Sequence, residues 1–121
     1  MQYEAEGYSF EIPDSWKKVV GIKKTKNKVI IRELLETEPE YSGIVATLKT
    51  VKRKKTCVPD VCEQLGTLTS PSGETFYLFA EYGRENSCSE EASDLYWRLM
   101  DKMYTVFKSI HAAAGYSWEA S

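Results

Sequence analysis

Polar and apolar positions alternate in short runs over the first two thirds of the chain. In residues 8–12, Tyr8, Phe10 and Ile12 alternate with polar positions, which is typical of a short half-buried strand. The segments on either side of Asn27, "WKKVVGIKKTK" and "KVIIRELLETE", are rich in β-branched residues. Because Asn tolerates the left-handed conformation of a tight turn, these segments predict a β-hairpin, although "IIRELLE" alone also fits a helix.

Two more segments continue the strand pattern. Residues 44–52 alternate around β-branched side chains and predict one strand. Residues 65–69 and 75–82 predict a second hairpin, because Pro71 and Gly73 in the connecting "SPSG" supply turn geometry. Together these segments indicate an antiparallel sheet.

The spacing of apolar residues changes in the last third of the chain. There they recur three and four positions apart, at Leu95, Leu99, Met103, Val106 and Ile110. This spacing predicts a long amphipathic helix, with Ser87 or Ser89 as its N-cap. We expect a tail from about residue 112, which either docks through Trp118 or frays.

These elements predict an α+β fold in a single domain, residues 1–121. The expected architecture is an antiparallel β-sheet with a long C-terminal amphipathic helix packed on one face. The composition is globular, with 42% hydrophobic and 28% charged residues. No apolar run approaches the roughly 20 residues of a membrane helix, so we expect no membrane span.

The first residues bear on the expected compartment. "MQYEAEGY" lacks a basic segment followed by an apolar core, so the chain as written predicts a cytoplasmic protein. If Met1 is an introduced start and a leader was removed, the expected location is extracytoplasmic.

Positive charge is concentrated in the middle of the chain. Residues 17–55 contain 12 of the 16 Lys and Arg against four Glu. The candidate patch for an anionic partner lies around the end of the strand predicted over residues 44–52: Lys49, Lys52, Arg53, Lys54 and Lys55. The alternative is a solvated sheet edge whose lysines discourage pairing with other chains. Nucleic acid is disfavoured as the partner because no aromatic residue interrupts residues 17–40.

Two of the three cysteines lie close together in "TCVPDVCEQLG". A disulfide between Cys57 and Cys62 is the first candidate, since Pro59 and Asp60 favour a turn that brings the two together. A bridge that includes Cys88 and three reduced thiols are the alternatives, and the compartment decides between them. The spacing does not fit a Cys-x-x-Cys redox pair.

The stretch "FEIPDSW", the hairpin "SPSGETFYLFA" and the closing "VFKSI" together resemble the PsbP-like fold group. That group includes the extrinsic photosystem II subunit, a Ran-binding nuclear import factor and many bacterial envelope proteins. The resemblance implies a PsbP-like sandwich that serves mainly as a binding scaffold, with Phe10, Pro13 and Trp16 as structural residues. Fold likeness of this kind transfers architecture better than function.

The sequence therefore favours a non-catalytic binding or protein-interaction domain, with no catalytic residues, metal ligands or cofactor assigned. The expected partner is an unknown protein or a small ligand, and the expected state is a monomer or weak dimer. The alternative is a metal-binding or thiol-dependent module built from Cys57, Cys62, Cys88 and His111. A further surface candidate is the set of aromatic residues in predicted loops and termini: Tyr3, Tyr8, Tyr41, Tyr116 and Trp118.

Overall fold

A computed structural model describes residues 1–54, 56, 61–83 and 88–121. In chain order, the elements are β1 (Gln2–Glu4), β2 (Tyr8–Glu11), a 3-10 helix (Asp14–Trp16), β3 (Val20–Lys24), β4 (Lys28–Glu33), β5 (Ile44–Val51), β6 (Cys62–Thr69), β7 (Thr75–Tyr82), α1 (Glu90–Lys108), β8 (His111–Ala112) and β9 (Ser117–Ala120). The protein is an α+β fold made mostly of β-strands, which confirms the predicted class. Within the described ranges there are two antiparallel sheets and not the single one expected.

The larger sheet has six strands in the order β3-β4-β5-β7-β6-β9. Its first hairpin turns at Asn27, as predicted, and the "IIRELLE" segment continues β4 as far as Glu33. The second predicted hairpin is β6 and β7, which pair from Thr69 and Thr75 outward. Alternation of side chains assigns Val29, Leu48 and Leu78 to one buried face.

The predicted C-terminal helix is confirmed as α1, which contacts β2, β4 and β5. Its buried side chains lie at helical spacing on one face: Ala92, Tyr96, Leu99, Met103 and Val106. These side chains join those of the sheet in one hydrophobic core, so the helix covers one face as expected. Among the residues the structure describes, no helix is long and apolar enough to cross a membrane.

The helix begins after Ser89, one of the two predicted N-cap residues, but without the predicted side-chain cap. Ser89 is the N-cap residue, but its side chain makes no capping hydrogen bond, and Ser87 lies outside the described residues. Instead, the Glu36 carboxylate accepts the Ser89 N–H at 2.5 Å. Glu33 holds Glu36 in place, because its Oε2 accepts the Leu35 and Glu36 N–H groups at 2.7 and 3.1 Å. An acid distant in sequence thus accepts the N–H of the N-cap residue, which is the bond that the glutamate of a capping box makes.

The smaller sheet has the strand order β1-β2-β8. One side of β2 faces the core through Tyr8 and Phe10, and the Phe10 ring stacks on Tyr3 at 6.0 Å between centroids. Pro13 precedes the 3-10 helix, which brings Trp16 into the same core. Phe10 and Trp16 are thus buried at the point where the chain passes from the smaller sheet to the larger one.

The C-terminal segment, predicted as a docked or frayed tail, contributes a strand to each sheet. β8 pairs with β2, and β9 pairs with β6 with Trp118 opposite Leu68. The Trp118 ring lies directly against Gly66, where no side chain separates it from the strand. Of the two alternatives for this segment, the structure shows docking.

Candidate ligand-binding site

A cavity of about 670 Å³ lies where one end of the larger sheet meets the β1–β2 turn. Four segments supply most of its walls: the β1–β2 turn, the β3–β4 turn, the end of β5 and the β6–β7 hairpin. Its lining residues are Glu6, Lys26, Asn27, Thr50, Val51, Lys52, Leu68, Glu74, Phe76 and Tyr116.

The two hairpins of the larger sheet fix one side of the cavity. The backbone carbonyl of Asn27 accepts the Thr50 N–H at 2.9 Å, which ties the β3–β4 turn to β5. The β6–β7 turn is closed by hydrogen bonds between Ser70 and Glu74, and Gly73 adopts φ +88° there. Because a positive φ is strained for residues with a Cβ, the "SPSG" sequence directly favours this wall.

Tyr116 forms the opposite wall, from the connection between β8 and β9. Gly115 has φ +84°, and the Tyr116 N–H donates to the Ala113 carbonyl at 2.9 Å, so the connection is a hydrogen-bonded turn. The Tyr116 ring lies flat on Gly7, where a Cβ would come within 2.8 Å of Cε2. Glycine at position 7 is therefore what allows Tyr116 to reach the cavity.

The floor of the cavity is apolar. Leu68 is buried, and Phe76 is half-buried beside it on the same face of the sheet. Burial raises the pKa of Tyr8, which lies in the core, far above its ordinary value, and an interaction with the Thr50 side chain offsets this only in part. Tyr8 thus stays neutral.

The rim of the cavity carries charged side chains of both signs. Lys52 and Glu74 form an ion pair with 3.2 Å between Nζ and Oε1. Lys26 and Glu6 also line the cavity, and neither makes an ion pair with another described residue. The rim therefore offers one compensated pair and two separate charges of opposite sign above an apolar floor.

The residues of the predicted basic patch have different surroundings, and the patch itself stays a prediction. Lys49 pairs with Glu81 at 2.8 Å, on the face of the sheet opposite the core, whereas Lys52 lies at the cavity. Arg53 and Lys54 are exposed, and Lys55 lies outside the described residues. Of the four described residues of this set, Lys52 is the one that lines the cavity.

The two described cysteines, Cys62 and Cys88, do not line the cavity. Cys62 is disulfide-bonded, whereas Cys88 is a free, buried thiol. Cys57 lies outside the described residues, so the pairing of Cys57 with Cys62 stays a prediction. Burial raises the pKa of the Cys88 thiol, and the Glu33 and Glu36 carboxylates raise it further. This environment disfavours the thiolate, which is the reactive form of cysteine.

His111 belongs to a polar cluster on the outer side of the smaller sheet. Its Nε2 lies 2.8 Å from Ser9 Oγ, and its Nδ1 lies 3.0 Å from the Ser109 carbonyl. The Gln2 side chain donates to the same Ser9 Oγ at 3.2 Å. Ser9 is only 5% exposed, so these bonds link paired strands and leave the hydroxyl little access to a substrate.

Cys88 and His111, two of the four candidate metal ligands, do not come together. They flank the 19 residues of α1, which span about 28 Å at the usual rise per residue. Among the described residues, no three His, Cys, Asp or Glu side chains are grouped to hold a metal ion. The geometry therefore does not favour a shared site that uses both residues.

Sequence reasoning identified Lys52 and Tyr116 but missed most of the cavity lining. Glu6 and Glu74 are ordinary exposed acids in sequence, and Phe76 and Leu68 read as strand positions. The available signal was indirect: Gly7, Gly73 and Gly115 mark three turns with positive φ, and each glycine adjoins a residue that lines the cavity.

Comparisons with known proteins find no matching family model, no matching curated protein and no matching solved structure.

Proposed function

We propose that the protein is a non-catalytic binding domain that holds a small ligand in the cavity between its two sheets. The observation that carries this proposal is the cavity itself, whose volume of about 670 Å³ is typical of small-molecule sites. Such sites combine an apolar lining with a few polar groups that orient the ligand. Leu68 and Phe76 supply the apolar floor here, and Thr50 and Asn27 supply hydrogen-bonding groups at the side.

The walls support a preformed site. Hydrogen bonds fix the β3–β4 turn to β5, and the Tyr116 ring is seated on Gly7. A site that is rigid before binding loses less conformational entropy when a ligand enters. A small ligand therefore fits the cavity better than a flexible partner that would first have to order this region.

A PsbP-like architecture is part of the same proposal. Its support is the order of elements: a first strand ending at "IPDSW", a central hairpin at "SPSG", and a long helix ending near "VFKSI". In this reading the fold supplies the scaffold, and the cavity supplies the function.

We also propose an extracytoplasmic location. Its support is Cys62, which is disulfide-bonded, because disulfides persist in oxidising compartments and are rare in the cytosol of mesophiles. The poor reactivity expected of Cys88 is compatible with the same setting, since a buried neutral thiol does not exchange readily with the bridge.

The test is binding of an uncharged fluorescent probe, N-phenyl-1-naphthylamine, whose emission rises in apolar surroundings. We expect saturable binding that Tyr116→Ala weakens at least about fivefold, because one aromatic wall is lost. Tyr104→Ala is the matched control, since Tyr104 is 60% exposed on the helix and does not line the cavity.

Thermal unfolding of both variants shows whether each is folded at the temperature of the titration. Absence of saturable binding, or equal weakening by the two substitutions in folded protein, contradicts the proposal.

A further inference from the structure

Lys26 and Glu6 are placed so that a single ligand can engage both. Both side chains are exposed at the rim of the same cavity, and each lacks an ion pair with any other described residue. They come from different sheets, Lys26 from the β3–β4 turn and Glu6 from the β1–β2 turn. The two charges are therefore carried on different turns that line the same cavity.

The turns that carry these two charges are held to each other. Lys24, at the end of β3, donates through Nζ to the carbonyl of Glu4, at the end of β1, at 2.8 Å. Lys26 follows Lys24 by two residues, and Glu6 follows Glu4 by two residues. This bond ties the end of β3 to the end of β1, two residues before each charged side chain.

The remaining charges of the rim do not favour a ligand of one sign. Lys52 is already compensated by Glu74, so the described lining residues carry no net formal charge. A purely anionic ligand would be attracted by Lys26 and repelled by Glu6. A purely cationic ligand would be attracted by Glu6 and repelled by Lys26. A ligand with one charge of each sign satisfies both side chains at once.

We infer that the ligand is a zwitterion with an apolar body, the class that includes apolar amino acids and short apolar peptides with free ends. This inference rests on the proposed function, since it names the ligand of the same cavity. The carboxylate meets Lys26, the ammonium group meets Glu6, and the apolar body lies on Leu68, Phe76 and the Tyr116 ring.

The test uses ligands that share one apolar body and differ only in charge. Leucyl-phenylalanine is a zwitterion, its N-acetyl derivative is an anion, and its C-terminal amide is a cation. Each is titrated against the protein loaded with N-phenyl-1-naphthylamine. We expect the zwitterion to displace the probe at concentrations lower by about fivefold than either derivative, the size expected for one exposed ion pair. Free phenylalanine in the same assay distinguishes an amino-acid ligand from a peptide.

Two substitutions assign the charges to residues. With Lys26→Gln, we expect the zwitterion and the amide to displace the probe at the same concentration, because the partner of the carboxylate is lost. With Glu6→Gln, we expect the zwitterion and the N-acetyl derivative to displace it at the same concentration, because the partner of the ammonium group is lost. Lys102→Gln, on the exposed side of the helix, is the matched control and is expected to change neither.

The outcomes separate this inference from the function on which it rests. Probe binding that all three ligands displace equally, or displacement led by the anion and strengthened by Glu6→Gln, overturns the zwitterion and leaves the cavity as a binding site. Failure of the uncharged probe to bind overturns the proposed function itself.

Discussion

Gly66 shows how a single residue controls the packing of the C-terminal strand. It lies beside a bulge in β6, opposite Ala120 of β9 and Leu78 of β7. A Cβ at this position would overlap the Trp118 ring and come within 2.5 Å of the Glu119 carbonyl oxygen. Because one of these neighbours is backbone, the strand pair cannot relieve the overlap by rotating a side chain.

Gly66→Ala is accordingly expected to destabilise the protein by about 1–3 kcal/mol, the usual cost of overpacking. The measurement is the free energy of unfolding from denaturant titration. Glu119→Ala, an exposed side chain on the same strand pair, is the control and is expected to stay within about 0.5 kcal/mol of the parent. Equal effects of the two substitutions would mean that β9 is not seated on Gly66.

At the scale of elements, the sequence predicted those helices and strands whose apolar residues recur with a regular period. The helix, both hairpins and β2 have a clear period, since Leu99 and Met103 repeat at helical spacing and Val29 and Ile31 alternate. β1, β8 and β9 are short and largely polar, and they are strands only because β2 or β6 lies beside them. Pairing of this kind depends on a strand that is distant in sequence, so the local pattern of residues does not predict it.

The start of the helix depends on a carboxylate from another element. Burial opposes the ionisation of Glu36, but hydrogen bonds from Ser89, Glu38 and Thr37 outweigh it and lower its pKa. The negative charge also lies at the positive end of the helix dipole. A group whose pKa is lowered by folding contributes stability above its unfolded pKa, near 4.5 here, and that contribution is lost as the pH falls through the lower folded value.

We expect Glu36→Gln to be less stable than the parent at neutral pH and to lose less stability on acidification from about pH 5 downward, because the titrating group is absent. Denaturant midpoints measured across this range test the expectation. Glu40→Gln, an exposed acid in the same connection, is expected to follow the parent curve. If the parent and Glu36→Gln lose stability in parallel, the carboxylate does not hold the helix.

At the scale of the whole molecule, the cavity is formed by residues from several segments, so no single segment of the sequence predicts it. Lys26, Thr50, Glu74 and Tyr116 lie far apart along the chain, and only the strand order and the two-sheet arrangement bring them together. The sequence indicated individual candidate residues, of which Lys52 and Tyr116 line the cavity. It could not indicate the cavity, because it did not separate the smaller sheet from the larger one.

The number of cysteine thiols that can be alkylated before and after reduction is a measurable property of the whole chain. We expect one alkylated thiol, that of Cys88, in denatured protein without reductant and three alkylated thiols after reduction, because Cys62 is disulfide-bonded. In the native state Cys88 is expected to react slowly near neutral pH, since its raised pKa leaves little thiolate. Mass spectrometry counts the modified sites.

Cys88→Ser is the control for this measurement. In this variant we expect no alkylated thiol in denatured protein without reductant. Three modified thiols in denatured, unreduced protein would contradict the bridge and, with it, the support for an oxidising compartment.

Because β2 pairs with β8, the smaller sheet can be completed only after nearly the whole chain has been synthesised. Ser9 lies opposite His111, so this contact joins residues 102 positions apart, and β9 adds a second late strand at β6. Contacts of such long range close slowly, because the chain must lose much of its freedom before they form. During synthesis, β2 leaves the ribosome first but gains its second neighbour only when residues 111 and 112 have emerged. Until then Tyr8 and Phe10 lie in a sheet that is still missing one strand, and this nascent chain is the form that needs protection from aggregation.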